Sequence, residues 1–394
     1  MTLQVLHVTQ PTEAGVARCV IDTVHDQVRR GWLVRVAAPQ SGPLADWVLA
    51  AGAEHVPWEA TREPTAGVPV EVQRLRSILR QRPPDLVHLH SSKAGLAGRL
   101  AVRGRQPTIF EPHSWSFVST RSLVKAAALA WERRTTSWTD RIICVSEAER
   151  RVAEEAGLSA NWRVIPNAVD LDRFRPGGAD RSMLRRELGL DGDVPLALCV
   201  GRICRQKGQD ILLAAWPAVR NAVPNARLVL LGDGPWRSRL EAAKPDGVVF
   251  AGATADVLPW LRAVDVLVFP SRWEGLSLAL LEAMASGRSV VATNVSGMSE
   301  AVGSGPGAGG AIVPPEDPVT LASALVERLR QPELTAREGT AARRRMVAGH
   351  DLHRRQAAVA ALCLEVVADR HGAAGRPRVG RCRRPSMIND RCVG

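Results

Sequence analysis

Two glutamates separated by seven residues, Glu274 and Glu282, lie within the segment PSRWEGLSLALLEAMASG, from Pro270 to Gly287. The apolar run VDVLVF before it reads as a buried strand, and the pattern after Gly275 predicts a helix starting near Leu276. The first turn of a helix has amides without internal partners and carries the positive end of its dipole. The amides of Leu276 and Ser277 are therefore placed to hold a phosphate. Glu282 lies about one and a half turns in, and helical side chains lean back towards the N-terminus, so it serves the same place. Carboxylates repel a diphosphate. Both glutamates are better used as acceptors from sugar or ribose hydroxyls, at opposite ends of a nucleotide sugar. Taken alone, such a pair is a solvated loop residue and a surface helix residue; the position after a strand, behind Pro270-Ser271, favours chemistry.

A second segment, CVGRICRQKGQD from Cys199 to Asp210, also ends a strand and opens a helix. Arg202 and Lys207 span a turn there and converge on one diphosphate, the first as a planar fork and the second as a point charge. Fixed cations stabilise the charge that grows on a leaving phosphate. In QPTEAGVARCV, Gly15 lets backbone amides approach a phosphate closely. The turn is no GxGxxG, and no ribose-binding acid follows the second strand, which argues against a nicotinamide enzyme. His113, in EPHSWSF, follows the strand TIFEP and faces the cleft opposite Glu274, as a contact to a transferred sugar or a proton relay. Two Asp-x-Asp patterns, Asp170-Leu171-Asp172 and Asp191-Gly192-Asp193, fall in or near a linker and read as turn and capping residues. The cationic pair makes a metal unnecessary.

The elements that must position these groups alternate short buried strands with amphipathic helices up to about residue 330, which is α/β grammar. Strands are expected at 3–9, 33–38, 86–90, 108–112, 141–146 and 162–166, with a long helix from Ser122 to Trp138. The Asn-, Asp-, Pro- and Gly-rich stretch 166–180 predicts a hinge, after which the alternation restarts. The expected fold is two Rossmann-like doubly wound domains, 1–168 and 181–350, facing a central cleft, with a hinge at 169–180.

A chain of 394 residues with 45% apolar content is long enough for two cores. Net charge is +12, yet residues 371–394 form a basic Arg- and Gly-rich tail expected to be disordered, and the stretch from Arg370 supplies half of that excess. Arg greatly outnumbers Lys, so coding bias explains the remainder as well as a polyanion does, and no nucleic-acid partner is expected. The seven cysteines are scattered and odd in number, which predicts reduced packing residues. The N-terminus MTLQVLHVTQ has no signal-peptide pattern, and no long uncharged apolar run occurs. A cytoplasmic protein is expected, with peripheral contact at the inner membrane face left open. The helix SLVKAAALAWERRTTSW offers that contact through Arg121, Lys125, Arg133 and Arg134 beside an apolar centre.

Several stretches together resemble glycosyltransferase family 4: HSSKAGLAGRL, EPHSWSF, RIICVSEAER, VIPNAVDLDRF, VGRICRQKGQD, LLGDGP, FAGATADV and the Glu-x7-Glu block. The resemblance covers nearly the whole chain apart from the tail. It implies the GT-B fold and retaining transfer by a front-face mechanism, with no cofactor and no metal. It implies that Arg202 and Lys207 bind the donor diphosphate, that the amides of Leu276 and Ser277 hold phosphate, and that Glu274 contacts the transferred sugar. Glu282 is implied at the ribose, His113 at the donor sugar, backbone near Ala253 and Thr254 at the base, and Gly15 in the N-terminal loop. It also implies that a last helix, 351–370, crosses back to the first domain. Two departures stand out: Ala14-Gly15 replaces a usual Gly-Gly pair, and the stretch after EAMASG reads Arg288-Ser289-Val290-Val291-Ala292 where Pro-Val-Val-Ala is usual.

The function expected is transfer of a hexosyl unit from a nucleoside-diphosphate sugar to a glycan, lipid-linked or small-molecule acceptor, in envelope glycan assembly or, alternatively, natural-product glycosylation. A non-catalytic nucleotide-sugar binder is the rival from another class. An isomerase or phosphorylase of similar architecture is disfavoured, since nothing suggests a pyridoxal lysine.

Overall fold

A computed structural model describes residues 2–118, 122–177, 181–190, 192 and 194–374. Two parallel sheets organise the chain. The first holds seven strands: β1 (Gln4–Thr9), β2 (Leu33–Ala38), β3 (Glu54–Pro57), β4 (Leu86–His90), β5 (Thr108–Glu111), β6 (Arg141–Cys144) and β7 (Trp162–Val164). Their order is β3-β2-β1-β4-β5-β6-β7. The second holds six: β8 (Leu196–Val200), β9 (Arg227–Leu231), β10 (Val248–Gly252), β11 (Val266–Phe269), β12 (Ser289–Thr293) and β13 (Gly310–Val313), in the order β10-β9-β8-β11-β12-β13. Central strands such as VLVF and SVVAT are buried along their whole length, because helices cover both faces. Each sheet accordingly has an apolar core on either side.

The strand order reverses between β1 and β4 in one sheet and between β8 and β11 in the other. Loops leaving neighbouring strands diverge at such a point and open a crevice at the strand C-termini. Arg202, Lys207 and Glu274 all lie in the two loops that flank the second reversal.

Local sequence explains the helix starts that matter here. Ser146 caps the helix Glu147–Glu155 by accepting from the Glu149 amide at 3.0 Å, and the Glu149 carboxylate accepts from the Val145 amide, one residue before the cap, at 2.7 Å. The helix Leu278–Ala285 begins two residues later than the sequence pattern suggests, with Ser277 at its N-cap. Leu276 and Ser277 thus precede the first turn. The helix Val68–Gln81 fills one of the expected helical intervals, whereas the edge strand β3, with Glu54 and Pro57 exposed and His55 and Val56 half-buried, shows no apolar run and is not among the expected strands.

The chain passes between the sheets twice, and the two passages run side by side. The Val169 amide donates to the His350 carbonyl at 3.0 Å, and the Leu352 amide to the Val169 carbonyl at 3.2 Å. After the second passage the helix Leu352–Ala374 buries Val359, Leu362, Cys363 and Val366 against the first sheet.

Candidate active site

Lys207 ends a short turn, Arg205–Lys207, and Gly208 then takes φ 67° before the helix Gln209–Ala222. A β-carbon on Gly208 would lie 2.0 Å from the Pro270 carbonyl oxygen. Glycine therefore lets the backbone of the β8 loop touch that of the β11 loop. The contact puts Lys207 Nζ 2.6 Å from Glu274 Oε1. Ser271 Oγ donates to the same oxygen at 3.0 Å, and Gln206 Nε2 donates to the Trp273 carbonyl at 3.2 Å. Arg272, one position before Trp273, grips Asp210 with two 2.8 Å bonds and braces the loops from behind. No sequence pattern singled out that brace.

Arg202 makes no side-chain bond among the described residues, while its carbonyl accepts from Gln209 Nε2 at 3.1 Å. Its charge is felt by Arg62, in the loop after β3, whose guanidinium is pushed down by burial and then by Arg202. Arg202 is therefore a cation without a side-chain partner among the described residues, near enough to the first domain for Arg62 to respond to it.

The helix after Ser277 carries Glu282, half-buried, with its carboxyl raised to about 7 by burial against the opposing pull of Arg18 and Arg173. Arg18 belongs to the helix Ala14–Arg29, whose first turn contains Gly15 with open space above it. Ala253 and Thr254 are exposed after β10, where the Thr254 hydroxyl donates to the Asp256 carbonyl at 2.9 Å. That hydroxyl is occupied by its own turn, so backbone is what the loop offers a ligand. Asp170 Oδ1 accepts from the Asp172 and Arg173 amides, both at 3.0 Å, in a turn. Asp191 and Asp193 lie outside the described residues.

The first domain meets this loop directly. A β-carbon on Gly275 would stand 2.9 Å from the His113 carbonyl oxygen. Asn167 Nδ2 donates to the Leu276 carbonyl at 2.8 Å, again across the domains. A cavity of about 200 Å³ remains between them, lined by Ser114, Trp115 and Glu149 on one side and Arg272, Trp273 and Glu274 on the other. Burial pushes the Glu149 carboxyl up to about 8.

His113 and Ser114 both hold positive φ, 56° and 127°, a strained pair at the end of β5. Behind His113 runs a buried file of imidazoles. His113 Nε2 is 3.4 Å from His90 Nδ1, His90 Nε2 is 3.0 Å from His7 Nδ1, and His7 Nε2 is 2.8 Å from Gln27 Oε1. Burial is the leading cause that lowers His7 to about 3 and His113 to about 4, and it holds His90 well below its usual value. Each ring is neutral at physiological pH, with one N–H and one lone pair. Gln27 Oε1 only accepts, so the proton sits on Nε2 of all three rings and Nδ1 of His113 is bare. Glu111 lies alongside, 3.5 Å from His88 Nε2 and 3.8 Å from His113 Nδ1. The set has metal-ligand residue types. His7, His90 and His113 form the hydrogen-bonded file, and His88 stacks on His90 beside it with neither ring nitrogen hydrogen-bonded among the described residues.

The lysine–glutamate pair of one domain thus lies in a loop that packs on the His113 backbone of the other, with Arg202 on the lysine's loop. Comparisons with known proteins give the family and the fold. The family model described as Glycosyltransferase Family 4 matches residues 14–173, and the one described as Glycosyl transferases group 1 matches 194–331. The chain is 32% identical over 301 residues to the GDP-mannose-dependent alpha-(1-6)-phosphatidylinositol monomannoside mannosyltransferase of Mycobacterium tuberculosis, covering 69% of this chain and 74% of that one. It is 27% identical over 310 residues to the UDP-Gal:alpha-D-GlcNAc-diphosphoundecaprenol alpha-1,3-galactosyltransferase of Escherichia coli, covering 75% and 80%. The crystal structure of HepE from Anabaena in complex with UDP and glucose superposes with a TM-score of 0.77 over 91% of this chain and 99% of that one, at 21% identity, so the GT-B fold is shared. The chain belongs to glycosyltransferase family 4 and is a hexosyltransferase.

Proposed function

We propose that this transferase moves a hexosyl unit from a nucleoside-diphosphate sugar to a lipid-linked or glycolipid acceptor in envelope glycan assembly, with retention of anomeric configuration. The observation that carries the donor half is the contact of Lys207 with Glu274 between the two loops at the sheet reversal, with Arg202 on the same loop as Lys207. Arg202, Lys207 and the amides at Leu276 and Ser277 neutralise the leaving diphosphate. Glu274 and His113 hold the sugar, Glu282 the ribose, backbone at Ala253 and Thr254 the base, and Gly15 closes over phosphate from the first domain. The acceptor oxygen bonds to the anomeric carbon on the face from which the phosphate oxygen departs, and the acceptor proton passes to that oxygen. The two cations supply the positive charge that a metal would otherwise bring.

Acceptor class rests on the relatives, which act on a diphosphoundecaprenol-linked sugar and a phosphatidylinositol mannoside, and on one surface. The helix Ser122–Thr135 leaves Leu123 86% and Val124 62% exposed, beside exposed Lys125 and Arg134. Apolar tips among cations suit a peripheral seat on anionic lipid. Arg133 is not part of it, because its guanidinium binds the Ala156 carbonyl at 2.9 Å, and Arg121 lies outside the described residues. Among the described residues no helix is long and apolar enough to cross a membrane.

A thermal-shift screen over UDP-, GDP- and ADP-sugars identifies the donor, and NMR of the product gives the anomeric configuration. Absence of a shift with every donor would remove the reading, and an inverted product would remove its mechanism.

A further inference from the structure

Glu111 is 1% exposed and lies in the first domain, yet its partner comes from the far end of the chain. Arg355, on the helix that returns from the second domain, places Nη2 2.6 Å from Glu111 Oε1. The same carboxylate stays beyond hydrogen-bonding reach of the rings around it: His88 Nε2 at 3.5 Å, His90 Nδ1 at 3.7 Å and His113 Nδ1 at 3.8 Å. Arg355 thus holds Oε1, the oxygen nearest His113, while Oε2 faces His88 and His90.

We propose that Arg355 is a positioning residue for His113: by clamping Glu111 Oε1 it keeps that carboxylate from drawing a proton onto His113 Nδ1, so the ring remains uncharged. The inference rests on the reading that His113 meets the donor sugar. Cleavage of the sugar–phosphate bond builds positive charge on the sugar ring, and an imidazolium beside it would oppose that charge. The groups facing His113 are Glu111 on its own strand, His90 and His88 on β4 with His7 behind them, and Arg355 on the last helix. Across the cleft Gly275 packs on its backbone, and the neighbouring Glu274 is already paired with Lys207. Of these, burial lowers His113 most, Glu111 raises it, and Arg355 and His88 lower it. Removing Arg355 takes away a lowering influence and leaves the carboxylate unopposed, so proton uptake at His113 moves to higher pH.

The test compares full-length wild type, Arg355→Met, Arg355→Lys and the double variant Glu111→Gln/Arg355→Met. Histidine titrations are followed by ¹H–¹⁵N NMR, with His113 assigned by its loss in His113→Gln. Where a donor has been identified, the pH dependence of kcat is followed with that donor. Arg355→Met should raise the His113 titration by about one to three pH units. Its kcat should fall near neutrality and recover as pH rises. Arg355→Lys should behave as wild type, and the double variant should return both readouts towards it, since no net charge is then left beside the ring. A folded Arg355→Met with an unmoved titration would overturn the proposal. So would a double variant that shifts as far as Arg355→Met. Should Arg355→Met fail to fold, the lysine and double variants decide alone: a shifted titration in either one overturns it. The NMR arm needs no substrate, so it answers even if the donor assignment fails.

Discussion

Lys207 lies 2.6 Å from Glu274, so the group placed for the diphosphate and the group placed for the sugar neutralise one another before any ligand arrives. Glu274 is only 8% exposed, and a carboxylate so buried needs the ammonium and the Ser271 hydroxyl that it has. A donor must share Lys207 with it. Glu274→Gln keeps the shape and frees the cation. We expect nucleoside diphosphate affinity, by calorimetry, to hold or rise while turnover drops by about a hundredfold or more. Wild-type turnover in that variant would sink the assignment.

Lys207→Met should be worse in both respects, since it removes a phosphate contact and leaves Glu274 without its counter-ion. Arg202→Met, lacking any such partner to strand, should lower kcat/KM by a comparable about hundredfold while leaving the melting temperature nearly unchanged. Equal destabilisation by both substitutions would contradict the difference in their surroundings.

The fold was legible because buried parallel strands leave unmistakable apolar runs, and the contact of Lys207 with Glu274 because both sit in loops directly after them. Three parts were not. Strand β3 is a half-buried edge, so EHVP carries no period. The helix predicted from Leu276 starts at Leu278, because leucine and serine at 276 and 277 fit a cap as well as a first turn. The polar layer under His113 is assembled from His7, Gln27, His88, His90, Glu111 and Arg355, which no local window contains together. One clue was present: two inward histidines two apart in LVHLH put polar rings where a buried strand wants aliphatic ones.

Glu282 sets a pH dependence. Its carboxyl is raised from 4.5 to about 7 by burial, so it carries a proton below that pH and accepts hydroxyl hydrogen bonds as a carboxylate above it. Donor affinity should tighten as pH rises from 6 to 8, and Glu282→Gln should flatten the slope. Folding responds the opposite way. A carboxyl raised in the folded state contributes stability that is full below its unfolded value and lost as pH climbs through the folded one. The ligand-free protein should therefore lose stability from this group between about pH 4.5 and 7, and the glutamine variant should not. Denaturant titrations across that range check the sign.

Charge at the diphosphate comes from side chains in this reading, so a chelator should leave initial rates unchanged. A rate that falls in EDTA and returns with magnesium or manganese would show that Arg202 and Lys207 are insufficient.

Ala14 holds φ 58° at the start of its helix, a left-handed conformation that favours glycine. A left-handed alanine costs about 1–2 kcal/mol, and the extra freedom of an unfolded glycine costs about 0.5–1 kcal/mol in return. Ala14→Gly should then stabilise the protein by about 0.5–1 kcal/mol in urea titrations. Destabilisation would mean that the alanine methyl is packed to advantage.

Glu300 closes the cleft from the second domain. Its carboxylate accepts from the Glu147 amide at 3.0 Å and from the Ala148 amide, at the N-terminus of a first-domain helix. It also pairs with Arg151 at 3.0 Å, but that arginine is 58% exposed. An exposed ion pair is worth little, whereas two helix-end amides lose their acceptor if the carboxylate is removed. The amide contacts should therefore decide the outcome. Glu300→Ala should weaken closure by about 1–2 kcal/mol, raising donor KM roughly tenfold and increasing the radius of gyration seen by small-angle scattering. Arg151→Ala should change neither. Arg345, which donates to the Glu300 and Ala301 carbonyls at 2.8 and 2.7 Å, anchors the helix that carries the carboxylate. Arg345→Ala should then reproduce part of the Glu300→Ala effect, and a scattering profile indistinguishable from wild type in both variants would show that the domains are held by other contacts.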